Sequence, residues 1–244
     1  MTCGKLEGAS IMRKFLCRTD IIGAAFFALL FLTGCKETIS IPVYMNDILT
    51  VAQTGRPIDV EIQIWVPIPS ADECDKYTSK TLPAILVGFR TATAAGCETK
   101  GMDNFVKVKA SSSVVRIDSA GLVPEIPDAM GIAIQPRTEN GKNGDLVALT
   151  QMSKKMDAMI SGAENEFSQK LSDLEVHIVF QNDSSGPVTI WTSGVFADGQ
   201  PILETEKVEV VRRGSLDIIL SDVAVAYFRK GNSIGIFNVE VPTP

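Results

Sequence analysis

Histidine is almost absent from this sequence: His177 is the only one among 244 residues. A Ser-His-Asp triad would have to use it, and no G-x-S-x-G elbow is present. In LEVHIVF, His177 shares a strand face with Glu175 and Val179, which is typical of a solvated histidine at the rim of a sheet. We therefore predict no catalytic residue and a protein that is not an enzyme.

Signatures of metal and cofactor sites are also missing. The segment NGKNGD has glycines but lacks the G-K-[ST] ending of a phosphate loop, and no D-x-[DN]-x-[DN]-G calcium spacing occurs. A zinc site needs four ligands, and the single histidine is far from the cysteines in sequence. Two tryptophans and three tyrosines would provide few stacking platforms for sugars. We predict no metal and no cofactor.

The sequence has fewer basic than acidic residues. Asp and Glu number 29 against 23 for Lys and Arg, which gives a net charge of −6. An acidic surface repels phosphate backbones, and the sequence contains no basic stripe that would overcome this repulsion. Nucleic-acid binding is therefore excluded from the predicted functions.

The sequence also lacks an apolar run of the about twenty residues that a membrane-spanning helix needs. Its longest run, Ile21 to Leu32, has twelve positions and follows the basic residues Arg13, Lys14 and Arg18. This order is typical of a signal peptide, which we place at residues 1–34. Met12 offers a second start that gives a more compact signal peptide. Residues 1–11 either precede the true start, which is the interpretation we favour, or form an unusually long basic segment. An uncleaved short anchor and an ordinary secretory signal stay open as alternatives.

The end of this segment, Leu32-Thr33-Gly34-Cys35, resembles the lipobox of bacterial lipoproteins. The resemblance implies cleavage before Cys35, a diacylglycerol thioether on its sulfur and acylation of its new amine. Three acyl chains would anchor a protein stably, because already two hold it firmly. Lipoproteins retained in the inner membrane carry Asp after this cysteine. Lys36 in that place implies sorting to the outer membrane, facing the periplasm.

Five cysteines occur, and Cys3 and Cys17 precede the expected cleavage site. Once Cys35 is acylated, Cys74 and Cys97 remain as an even pair in a chain exported to an oxidising compartment, so we predict a disulfide between them. A metal pair or two reactive thiols are the alternatives, but C-x-x-C spacing is absent. The disulfide would join the start of a helix to a later loop.

Hydrophobic periodicity divides the mature chain into three segments. Residues 35–57 are predicted to form a short strand and a helix capped by Asn46 and stopped by Gly55. Residues 58–150 begin with the strictly alternating PIDVEIQIWVPIP and are predicted to form a disulfide-linked β-α-β unit followed by a hairpin. Residues 151–244 are predicted to contain a long helix at about 152–173 and an antiparallel β region. The predicted fold class is α+β, with a largely antiparallel sheet.

The segments CKETISIPVYMNDILTVAQTG, VPIPSADECDKY and GCETKGMDNF resemble lipoproteins of tailed phages, prophages and their enterobacterial hosts. The resemblance implies a location and a provenance, but no mechanism. The anchor, the acidic mature domain and the lack of a catalytic set lead us to predict a lipid-anchored, non-enzymatic module that binds an envelope protein. If the protein is phage-encoded, its expected role is receptor masking or superinfection exclusion. The alternatives are a structural or assembly lipoprotein of the host envelope and, third, a hydrolase that uses paired carboxylates.

Overall fold

The computed structural model describes residues 36–118, 121–122, 124–139, 142–150 and 174–240. The predicted signal peptide (1–34), Cys35 and the predicted long helix at 152–173 lie outside these residues. The described residues, which all follow Cys35, form one compact unit by the contacts between their Cα atoms. No helix in the described ranges is both long and apolar enough to span a membrane.

Strands predominate in the described residues. They are β1 Glu37–Tyr44, β2 Ile58–Ile68, β3 Ala92–Lys100, β4 Asp103–Arg116, β5 Gly131–Glu139, β6 Lys142–Thr150, β7 Leu174–Gln181, β8 Val188–Thr192, β9 Val195–Ala197, β10 Gln200–Ile202, β11 Glu206–Val210, β12 Ser215–Leu220 and β13 Ile234–Glu240. The α-helices are α1 Met45–Thr54, α2 Cys74–Gly88 and α3 Asp222–Phe228, and a 3-10 turn at Ala71–Glu73 leads into α2.

All of these strands belong to one mixed sheet, in the order β10-β9-β12-β7-β1-β2-β4-β5-β6-β13-β8-β11, with β3 paired to β4. The pairs β1–β7 and β4–β5 are parallel, and the others are antiparallel. The predicted α+β class is therefore wrong, because the protein is mostly β with a large mixed sheet. Parallel pairing between distant segments leaves no mark on local periodicity, so the sequence pattern could not indicate it.

Two local predictions also need correction. The predicted β-α-β unit is β2-α2-β3-β4, in which α2 leads into a hairpin and β2 pairs antiparallel with β4. Asn46 does not cap α1: the helix begins at Met45 after Tyr44, without a side-chain cap, and the Asn46 side chain instead donates to the Asp183 carbonyl oxygen. Gly55 ends α1 as predicted, in the left-handed conformation that glycine adopts readily.

The sheet curls so that distant strands share one core. The rings of Phe180 on β7 and Phe237 on β13 meet edge to face at 5.6 Å, although five strands separate β7 from β13 in the sheet order. Both rings are fully buried, together with Val176 on β7 and with Ile39 and Ile62 on the intervening strands β1 and β2. Apolar burial on the inner face of the curled sheet is the main stabilising term.

The pairing register gives the sheet two ends. Because β1 runs parallel to β7 and antiparallel to β2, the start of β1 lies with the start of β7 and the end of β2. We call this end, where Lys36 lies, the Lys36 end. The opposite end contains the end of β1, the start of β2 and the end of β4. We call it the Arg90 end because the Arg90 side chain lies there.

Candidate functional site

Arg90 follows α2 and is the centre of a cluster of charged and polar groups at the Arg90 end. Its Nη2 donates to Asp59 Oδ1 at 2.6 Å, to Asp128 Oδ2 at 3.1 Å and to Ser113 Oγ at 2.9 Å. Its Nε and its backbone N–H donate to Asp128 Oδ1 at 3.2 Å and 3.1 Å. These hydrogen bonds, first to Asp128 and then to Asp59, raise the pKa of Arg90. The guanidinium is thus fixed between two carboxylates.

Asp128 is the buried member of this cluster, with none of its surface exposed. Besides the donors of Arg90, it accepts a hydrogen bond from Ser113 Oγ at 3.2 Å. A buried carboxylate needs such partners, because desolvation of an unpaired charge costs several kcal/mol. Arg90 therefore stabilises the fold by pairing with buried Asp128. It can also contact a ligand, since 42% of its side chain is exposed.

The loop that carries Asp128 is held closely against α2 and β4. The Ala129 N–H donates to the Gly88 carbonyl oxygen at 2.6 Å. A Cβ atom on Gly131 would lie 2.7 Å from Ile126 Cδ1 and 2.8 Å from the Ser113 carbonyl oxygen. Glycine is required at position 131 because any side chain would push the loop away from β4.

A cavity of about 470 Å³ opens over this cluster. We call it the Arg90 cavity. It is lined by Gly55, Pro57, Asp59, Arg90, Ser113, Val115, Arg116, Pro124, Glu125 and Pro127. Arg116 and Glu125 are exposed. Neither charged group forms a hydrogen bond or ion pair with the described residues, so both are available to a ligand. The volume lies within the range of small-molecule and side-chain pockets.

His177 lies elsewhere, on the outer face of β7, and is bound on both sides of its ring. Nε2 lies 2.6 Å from Glu175 Oε1, and Nδ1 lies 3.0 Å from both carboxylate oxygens of Asp217 on β12. The side chain is 19% exposed. The sequence correctly placed His177 and Glu175 on one face, but Asp217 belongs to a strand that the sequence analysis did not identify. With both ring nitrogens occupied, His177 has no free position for a serine or water.

Of the acids in the part of the chain that the structure describes, Glu37 and Asp47 have a raised pKa, and neither lines the Arg90 cavity. Burial raises the pKa of Glu37 from 4.5 to about 7, an effect that the positive charge of Arg229 partly offsets. Burial also raises the pKa of Asp47 on α1, and the nearby charge of Asp183 adds to the shift. A hydrolase with paired carboxylates would need such an acid inside a concave site. In the described residues, the two acids with a raised pKa therefore lie outside the cavity.

Cys74 and Cys97 form a disulfide, with Cα atoms 6.1 Å apart. It joins the first residue of α2 to β3, whereas we expected it to join the helix to a loop. Cys97 pairs with Val106, and Val106 pairs with Val66 near the end of β2. The disulfide is therefore near the Lys36 end and far from the Arg90 cavity. We interpret it as structural. No group of three or more potential metal ligands occurs within the described ranges.

No sequence pattern indicated the Arg90 cluster. Its four members, Asp59, Arg90, Ser113 and Asp128, come from four distant segments with no fixed spacing. The only local signal is an aspartate inside the otherwise apolar IPDAMGIAI. The predicted lipidation residues Leu32, Thr33, Gly34 and Cys35 lie outside the described residues, so lipidation stays a prediction.

The fold and the site define a disulfide-linked, mostly β domain with a cavity over a charged cluster at one end of a curled mixed sheet. The chain belongs to the DUF7424 family, described as a domain of unknown function, whose family model matches residues 37–241. No curated protein and no solved structure matches the chain. The match covers nearly all of the chain after Cys35, so the Arg90 cavity belongs to the family domain itself.

Proposed function

We propose that this protein is a lipoprotein anchored in the outer membrane through Cys35, facing the periplasm, and that it is a non-enzymatic module that binds an envelope protein. The observation that carries this proposal is the position of the Arg90 cavity at the opposite end of β1 and β2 from Lys36. β1 has eight residues. At about 3.3 Å per residue, it separates the two ends by roughly 26 Å. A tether at Cys35 would leave the cavity open to the periplasm.

The bonding within the cavity favours binding over catalysis. Asp59 and Asp128 both accept hydrogen bonds from Arg90, so neither is free to act as a general acid or base without breaking the cluster. Ser113 donates to these carboxylates and has no histidine beside it. The rigid cluster instead provides a preorganised floor for a ligand.

Arg116 is the group in the cavity best suited to recognition. Its guanidinium is exposed and has no partner in the described residues, and it lies beside a left-handed glycine: a Cβ atom on Gly55 would lie 3.9 Å from Arg116 Cδ. An arginine fork binds carboxylates through two parallel hydrogen bonds. The partner therefore presents a carboxylate to Arg116, and its neighbouring groups contact the prolines of the cavity wall.

Receptor masking or superinfection exclusion is the role we assign to this binding, on the basis of the resemblance to phage lipoproteins. The test is to express the protein in a susceptible host and measure the plating and adsorption of a panel of phages. We expect plating of at least one phage to fall by orders of magnitude. Cys35→Ala and Arg116→Ala should restore plating, while Arg212→Ala, which removes an exposed arginine outside the cavity, should not. Unchanged adsorption for every phage would exclude this role.

Photocrosslinking in cells tests the binding proposal independently of any phage. A photoreactive residue in place of Glu125, on the cavity wall, should give a discrete adduct with one envelope protein. The same residue in place of Glu209, an exposed acid on β11, is the matched control. Equal, diffuse labelling from both positions would contradict binding at the Arg90 cavity.

A further inference from the structure

Helix α3 is held against the first described residues of the chain. The Lys36 Nζ atom lies 3.4 Å from Asp222 Oδ1 in the first turn of α3. At its other end, Arg229 acts electrostatically on the buried Glu37. Lys36 directly follows Cys35 in sequence, so their Cα atoms are about 3.8 Å apart. Any membrane anchor on Cys35 therefore emerges beside α3.

The outward face of α3 is apolar. Val225 and Phe228 are buried against the core, whereas Val223 is 81% exposed and Tyr227 is 54% exposed. Val223 and Tyr227 are four residues apart, so they lie on the same face of the helix. Lys230, in the turn after α3, is also exposed. A valine, a tyrosine and a nearby lysine are side chains that suit the boundary between lipid headgroups and acyl chains.

The neighbouring strand ends extend this apolar surface. Of the large apolar side chains that the structure describes, the three most exposed are Met102 at 91%, Leu203 at 84% and Val223. Met102 lies in the turn between β3 and β4, and Leu203 follows β10. By pairing register, both lie at the Lys36 end of their strands. The side chains least suited to water thus occur at the end from which an anchor would extend.

We propose that the Lys36 end of the domain rests on the lipid bilayer that receives the acyl chains of Cys35, with Val223 and Tyr227 inserted among the headgroups. This inference rests on the proposed lipidation. This end carries Lys36, Lys100 and Lys230 but also the exposed acids Asp222 and Glu204, so the contact depends on its apolar side chains and not on a net positive charge. The contact fixes the orientation of the domain, so that the Arg90 cavity points away from the membrane.

The experiment uses the full-length protein, matured in a diderm host, purified and reconstituted into phosphatidylethanolamine–phosphatidylglycerol vesicles. Val223→Cys introduces one thiol that can be labelled with a nitroxide, since Cys74 and Cys97 are bonded to each other. Val211→Cys is the matched control, because Val211 is also exposed, at 63%, and lies near the turn before β12 at the opposite end. Intact mass first establishes whether Cys35 carries lipid.

We expect the nitroxide at position 223 to be severalfold less accessible to a water-soluble nickel complex, and more accessible to oxygen, than the nitroxide at position 211. A nitroxide at Leu203→Cys should show intermediate protection. If Cys35 carries lipid but positions 223 and 211 are equally accessible, the membrane contact is refuted and the lipoprotein proposal stands. If Cys35 carries no lipid, both proposals fail together.

Discussion

Among the described residues, Glu37 is the acid whose pKa folding shifts most. Its pKa rises from 4.5 to about 7 because it is buried. The folded state therefore holds the proton more tightly than the unfolded state, so Glu37 contributes its full stability below about pH 4.5 and loses it as the pH rises through about 7. The shift corresponds to about 3 kcal/mol in the free energy of unfolding.

Glu37→Gln should remove this pH dependence. Urea unfolding at about pH 5 and about pH 8 should show the wild type losing up to about 3 kcal/mol relative to the variant over that interval. The variant should therefore be the more stable protein at the higher pH. Parallel stability profiles for the two proteins would show that Glu37 is not held in a desolvating environment.

Arg90 provides the second prediction at the residue scale. Arg90→Met leaves Asp128 buried with Ser113 as its remaining side-chain donor, and it should lower the free energy of unfolding by about 3 kcal/mol. Lys109→Met is the control. Lys109 on β4 pairs with Glu61 on β2 at 2.7 Å, but both of these side chains are exposed. That variant should cost less than about 1 kcal/mol. Equal losses in chemical denaturation would mean that burial of Asp128 contributes nothing.

At the scale of elements, the approach of the 126–131 loop to β4 depends on Gly131. Gly131→Ala would place a methyl group against Ile126 and the Ser113 backbone, so we expect a loss of about 1–3 kcal/mol. Gly186→Ala is the matched control, because no atom lies within 4 Å of its Cβ position. Thermal unfolding of both variants measures the difference. A Gly131 variant as stable as the Gly186 variant would show that the loop can move away from β4 at no cost.

Elements with a strong local pattern were predictable from the sequence. Strand β2, the glycine stop of α1 and the hairpin of β5 and β6 all occur where the sequence indicated them, although the alternation in β2 ends at Ile64 and residues 65–68 are all buried. Strand β12 was missed because SLDIIL lies between a turn and a helix signal, and it supplies Asp217 beside His177. The Arg90 cluster was missed because it depends on which strands are adjacent. Adjacency arises from long-range packing, which local periodicity does not encode.

At the scale of the whole molecule, the two ends of the sheet have different chemistry. The Lys36 end has α3 and the most exposed apolar side chains, whereas the Arg90 end has the charged cluster and the cavity. The proposed anchor at one end and the proposed recognition site at the other would make the protein a tethered binding module. This division depends on sheet register, so composition and motifs alone could not have predicted it.

The central claim is tested most directly by the intact mass of the protein extracted from membranes, with alkylation before and after reduction. The account predicts a polypeptide that begins at Cys35 and carries the added mass of its acyl chains. It also predicts that Cys74 and Cys97 are alkylated only after reduction. A chain that retains residues 1–34, carries no lipid and has two freely reactive thiols would contradict the account.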